Sequence, residues 1–108
     1  MKVKFKSFRF GALCTNQKEL VRKYGRPVAE KVATRLFQLT SVATLEEMRH
    51  LPGRCHELTA DRKGELAVVL HGGFRLIFRP RNTPVGESAG LDWSSVTEVI
   101  VTEIEDYH

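Results

Sequence analysis

Residues 56–79, HELTADRKGELAVVLHGGFRLIFR, decide how this chain folds. Residues 65–70 and 74–79 are two short runs rich in Val, Ile, Leu and Phe. Between them stand His71, Gly72 and Gly73, and glycine takes positive φ without a Cβ clash. This is a β-hairpin, and its turn length sets which side chains share a face. A two-residue turn at Gly72-Gly73 would place Leu70 opposite Arg75 and Leu66 opposite Arg79, mixing bulky apolar groups with cations. A three-residue turn that includes His71 sets Leu70 across from Phe74, Val68 from Leu76 and Leu66 from Phe78, a wholly apolar face. Glu65, Ala67, Val69, Arg75, Ile77 and Arg79 then occupy the other face, because side chains alternate and a one-residue slip inverts them all. The three-residue turn is therefore expected. It displays Arg75 and Arg79 about 13 Å apart on one surface suited to polyanions.

Outward from the hairpin, residues 2–10, KVKFKSFRF, alternate Lys or Ser with Val or Phe and predict a first strand near a sheet edge. Residues 16–24 predict a short helix stopped by Gly25, with Leu20, Val21 and Tyr24 inward. Pro27 suits a first helical position. From there to about residue 40, Val28, Val32, Leu36 and Leu39 form an apolar stripe, with Glu30, Lys31, Arg35 and Gln38 on the solvent side. Thr44-Leu45-Glu46-Glu47 is a capping-box pattern that starts a last short helix ending before Leu51-Pro52-Gly53. Residues 80–95 hold two prolines, two glycines and an apolar cluster around Leu91 and Trp93, the composition of a flexible loop. Residues 96–104 are β-branched and close the chain as a strand leading to Asp106-Tyr107-His108. Strand, helices, then three strands predict one α+β domain over residues 1–108, with the helices packed on one side of a mainly antiparallel sheet.

At 108 residues the chain buries roughly 60–70% of its unfolded surface and needs no staples. Cys14 and Cys55 are far apart and lack zinc spacing, which predicts a reduced, cytoplasmic protein. No apolar run approaches membrane length, so no membrane association is expected. The net charge of +4 is unevenly spread. All 17 Lys and Arg, with seven acids, fall in residues 1–81, giving +10. Residues 82–108 hold six acids and no Lys or Arg, giving −6. A basic body of this kind suits nucleic acid, since phosphate contacts dominate such affinities, although basic surface also keeps small domains soluble.

Taken in order, Leu51-Pro52-Gly53, His56-x-Leu58, Asp61-Arg62-Lys63-Gly64, Phe74-Arg75-Leu76-x-Phe78-Arg79 and Asp106-Tyr107-His108 resemble the HigB-like toxins of the RelE superfamily. The likeness covers residues 50–108 well and the first half loosely. The Leu91-Asp92-Trp93-x-x-Val96-Thr97 segment is similar to a longer-looped branch, some members of which are labelled killer-suppression proteins. The resemblance implies a RelE-like compact domain with helices backing a curved sheet. Its expected activity is that of a type II toxin that enters the ribosome and cuts mRNA without metal or other cofactor. It also implies an antitoxin with a helix-turn-helix, through whose complex alone operator DNA would be bound. Three positions depart from the pattern. Thr59-Ala60 stands where Lys-Gly is expected, Phe74 replaces a tryptophan, and the interval from Pro52-Gly53 to His56 is one residue short.

Metal-free RNA cleavage requires a base, an acid and cationic stabilisation of the phosphorane oxygens. His56 and His108 are the acid–base candidates, since histidine titrates nearest working pH. Arg75 and Arg79 offer paired donors to phosphate, and Arg62 and Lys63 would contact backbone phosphates. Tyr107 could stack on a base or donate to the phosphate, and Asp106 could orient a histidine or contact a base edge.

Each of these residues has a plainer reading. His56 could be a solvated loop histidine, residues 106–108 a frayed terminus, and Arg62 and Lys63 turn residues. Arg75 and Arg79 could be cross-strand partners of Glu65. His71 reads as a turn residue, His50 as a helix-end residue and Trp93 as a loop anchor. Cys55 beside His56 lacks an orienting third group for nucleophilic work. A catalytically inactive toxin-fold module that binds an antitoxin or RNA is the second reading of the whole chain. A repressor acting alone is disfavoured by the lack of helix-turn-helix spacing.

Overall fold

The computed structural model describes residues 1–81 and 90–107. Strand β1 (Lys2–Phe5) leads into helices α1 (Phe8–Cys14), α2 (Gln17–Tyr24) and α3 (Arg26–Ser41), then a 3-10 turn over Leu45–His50. Strands β2 (His56–Glu57), β3 (Leu66–Val69), β4 (Phe74–Pro80) and β5 (Glu98–Asp106) follow, with further 3-10 turns at Ala60–Arg62 and Trp93–Ser95. The sheet order is β1-β5-β4-β3-β2, parallel between β1 and β5 and antiparallel elsewhere. The expected α+β architecture is present, with the helices packed on the sheet. No helix among the described residues is long and apolar enough to cross a membrane.

The hairpin has the three-residue turn. Leu66 pairs with Phe78 and Val68 with Leu76, and the Leu70 amide donates to the Phe74 carbonyl at 2.9 Å. Gly72 and Gly73 sit at φ 60° and 87°, conformations that a Cβ would strain. Leu66, Val68, Leu70, Leu76 and Phe78 are buried in one core with Leu20, Val32 and Leu39 from the helices. Each fully buried side chain of this size contributes about 1.5–3 kcal/mol of transfer free energy. Opposite Ile77 and Phe78, β5 carries one extra residue, Thr102 between Val101 and Glu103, in the manner of a bulge.

Three expectations are corrected. The first strand stops at Phe5 rather than running to residue 10, because the Ser7 side chain accepts from the Phe10 amide and caps α1. Lys and Phe alternate on both sides of that cap, so the strand pattern continues past the point where the backbone turns. The expected short helix before Leu51 is present over Leu45–His50, in 3-10 form, and the Glu47 carboxylate accepts from the Ala43 and Thr44 amides as a capping box requires. His56 begins an edge strand rather than sitting in a loop.

Arg35, expected on the solvent face of α3, is buried to 5% exposure. Its Nε donates to the Val69 carbonyl at 2.7 Å and a terminal nitrogen reaches Gln38 Oε1 at 3.3 Å. The Val69 amide in turn donates to the Gly53 carbonyl at 2.7 Å. Arg35 therefore ties α3, the end of β3 and the Leu51-Pro52-Gly53 loop together. Gly53 has φ 122°, and a Cβ there would stand 2.9 Å from Arg35 Nε. Glycine is needed at this position for both the backbone conformation and the space.

A candidate active site on the free face of the sheet

Register places the site residues. His56 pairs with Ala67, Ala67 with Ile77, and Ile77 with Glu103, so these four side chains lie in one row on the face away from the helices. One row along, Val69 pairs with Arg75 and Arg75 with Glu105. Tyr107 follows β5, and its amide donates to the Gly73 carbonyl at 2.8 Å, drawing the chain end over the hairpin turn. The result is a cavity of about 510 Å³ bordered by Arg54, Cys55, His56, Phe74, Arg75 and Tyr107. A smaller one of about 280 Å³, reaching toward Asp61 and Arg62, shares His56, Arg75 and Tyr107 with it.

His56 Nδ1 lies 2.7 Å from the Arg54 carbonyl. A carbonyl can only accept, so Nδ1 carries a hydrogen, and in the neutral imidazole the lone pair is then on Nε2. Arg54 delivers that carbonyl from a left-handed conformation, φ 52°, which is uncommon away from glycine. Cys55 borders the same cavity, but burial pushes its thiol up to about 12, with Arg49 only partly opposing. It is a protonated lining group and not a nucleophile.

The Arg75 guanidinium carbon stands 3.8 Å from the Tyr107 ring centroid, and its Nε donates to Glu105 Oε1 at 2.5 Å. Its two terminal nitrogens have no hydrogen-bond partner among the described residues. They form an open fork flanked by an aromatic ring. Glu105 Oε2 binds Arg62 at 2.6 Å, and Arg62 also reaches Glu103 at 2.7 Å and Glu65 at 2.8 Å. These contacts, the Glu103 hydrogen bond foremost, hold the Arg62 pKa above its ordinary value. To reach Glu103 and Glu105 from the loop before β3, Arg62 must cross above Ala67 and Ile77. Ala67 and Ile77 on this face are fully buried, and Ile100 opposite Arg79 is nearly so.

Of the expected site residues, His56, Arg75 and Tyr107 come together around one cavity. Arg62 lines its smaller extension as the hub of an ion-pair network. Asp106 is exposed at the end of β5 opposite Phe74, and Lys63 and Arg79 are exposed, and none of the three borders either cavity. His108 and residues 82–89 of the loop expected at 80–95 lie outside the described residues. Trp93 is an anchor, as its plainer reading held. It is buried, donates to Glu57 Oε2 at 2.9 Å and is stacked by Arg49 at 3.7 Å. The roles of Glu103 and Glu105 were not foreseen. Their alternation with buried residues along β5 does place them on the free face, opposite the two arginines.

No family model matches the sequence, and no curated protein matches it. Among solved structures, a YoeB/ParE toxin from Agrobacterium tumefaciens is similar across the full length of both chains, with a TM-score of 0.60 at 13% identity. At that identity the likeness is one of fold, which this chain shares with that toxin.

Proposed function

We propose that this chain is the toxin of a type II toxin–antitoxin pair, HigB-like in its motifs, and that it cleaves mRNA on the ribosome by acid–base chemistry. The observation that carries the reading is the convergence of His56, Arg75 and Tyr107, from three separate segments, on one cavity with the His56 Nε2 lone pair available. In the proposed step the 2′-oxygen attacks the adjacent phosphorus as His56 Nε2 removes its proton, and the bond from phosphorus to the 5′-oxygen breaks. His108 supplies the proton to the departing 5′-oxygen, a role that rests on the terminal motif alone. The products are a 2′,3′-cyclic phosphate and a 5′-hydroxyl. The terminal nitrogens of Arg75 donate to the phosphorane oxygens, where removal of such a donor typically costs about 10²–10³ in rate. Tyr107 holds Arg75 in plane and offers an edge for base stacking. The partners are then mRNA in the ribosome, a helix-turn-helix antitoxin, and operator DNA only through that antitoxin.

Brief induction without antitoxin, followed by mapping of new 5′-hydroxyl ends, tests the reading. Codon-phased ends are expected with the natural chain, and a loss of about 100-fold or more with Arg75→Ala or His56→Gln. A second reading, a toxin-fold module that binds partner or RNA without cutting, draws support from the carboxylates that already engage Arg62 and Arg75. Absence of new ends in cells containing soluble protein would establish that reading over the first.

A further inference from the structure

The opposite edge of the sheet carries a second concavity unrelated to the site above. Among the described residues β1 is an edge strand whose only neighbour is β5. The amides of Lys2 and Lys6 donate to Thr97 and Val101, so the alternate groups of Val3 and Phe5 point away from the sheet. Those outward N–H and C=O groups have no partner among the described residues. An apolar groove of about 580 Å³ runs beside them, between Val3 and Phe5 of β1 and Phe8, Gly11, Ala12 and Thr15 of α1. Small residues make its floor, and a Cβ on Gly11 would stand 3.1 Å from the Phe5 ring. Phe8 at its rim is 93% exposed.

The charge along β1 and α1 is of one sign, and the acid beside it in register, Glu98 opposite Lys2, is already paired with Arg81 at 2.8 Å. Residues 1–18 contain Lys2, Lys4, Lys6, Arg9 and Lys18 and no acid. Lys2 and Lys4 are exposed, Lys4 also bordering the groove, and no salt bridge among the described residues involves either. Like charges disfavour pairing β1 with a second copy of itself, and lysines on an open edge discourage indiscriminate strand addition. An acidic strand would meet neither obstacle.

We infer that β1 is a docking edge for an extended segment of another protein in which acidic and apolar residues alternate. Such a segment adds as a sixth strand, its backbone pairing with Val3 and Phe5. Its carboxylates stand beside Lys2 and Lys4, and its apolar side chains enter the groove under Phe8. The period of two in side-chain direction dictates this acid–apolar alternation.

Titration of the full chain with a synthetic peptide of alternating glutamate and valine, read by amide NMR and hydrogen exchange, tests the inference without reference to RNA cleavage. Saturable binding is expected, with the Val3 and Phe5 amides protected on binding. Affinity should fall by about 10-fold in Phe8→Ser, whose exposed ring the fold does not need. It should fall by at least as much in Lys2→Glu/Lys4→Glu, and with a peptide N-methylated on its pairing edge. Binding that leaves Val3 and Phe5 unprotected would overturn strand addition. So would equal binding of the peptide with lysine in place of glutamate, or no binding at millimolar peptide. Self-association of the chain through β1, seen as protection that grows with protein concentration alone, would overturn it in favour of a second copy.

Discussion

The two edges of the sheet are both rich in cations, yet the cations do different work. Near the β2 edge, Arg62 and Arg75 are engaged by Glu65, Glu103 and Glu105, and Arg75 is further stacked on Tyr107. At the β1 edge, Lys2 and Lys4 reach solvent with no acid in the surrounding sequence, and Lys6 rests 4.9 Å from the Phe10 ring centroid. Planar guanidinium groups suit the first situation, because they hold several carboxylates in fixed directions and still present a fork to a ligand. Compact, strongly hydrated ammonium groups suit the second. Positive charge counted along the chain is therefore a poor measure of positive charge on offer. The basic residues 1–81 commit part of their charge to the acidic last strand.

The sharpest test of the contrast compares one glycine from each edge. Gly53→Ala forces a Cβ against Arg35 at φ 122° and should loosen the ties among α3, β3 and the loop that presents His56. An unfolding free energy lower by about 2–4 kcal/mol is expected by denaturant titration. Gly11→Ala meets a side chain that can shift, at an ordinary helical angle, and should change stability by less than about 1 kcal/mol. Comparable losses at both sites would mean that the β2 edge is not specially braced.

A smaller effect separates the charges themselves. Arg62→Ala leaves Glu103 and Glu105 facing each other across β5, at an expected loss of about 1–2 kcal/mol that shrinks in high salt. Lys4→Ala should fall within about 0.5 kcal/mol of the natural chain. If the two substitutions proved indistinguishable, the ion-pair network would be dispensable.

Smallest is the alkaline response of the two thiols, one beside each edge. Burial raises Cys14 to about 11, against the pull of Lys6, and Cys55 to about 12, from an ordinary value of 9.0. Above pH 9 the unfolded chain releases protons that the folded chain keeps. Stability should therefore fall from pH 9 upward until each folded thiol ionises. Replacing either cysteine with alanine should flatten that slope in pH-dependent thermal melts. Rapid alkylation of native Cys55 at pH 8 would contradict its protonated state.

Local pattern carried much of this molecule. Apolar alternation around His71-Gly72-Gly73 was enough to choose the turn, the register and the core face, because a slip of one residue would have buried Arg75 and Arg79. Asn16, Gly25 and Pro27 marked two helices through rules that act within a turn of chain. The candidate site was half legible. His56, Arg75 and Tyr107 stood out as residue types, whereas Glu103 and Glu105 did not, since nothing in a strand's own sequence says which cation lies across from it.

Sequence by itself determined the hairpin, its register and the order of the elements, since each depends on neighbours within a few residues. Tertiary structure alone decided that Arg35 is buried, that Arg62 crosses two strands to reach β5, and that His56 and Tyr107 border one cavity. Those outcomes depend on groups 34 to 51 residues apart along the chain, brought together only when the five strands assemble into one sheet. Side chains at such separations leave no period or spacing to read, and their pairing is settled by strand order and the geometry of burial.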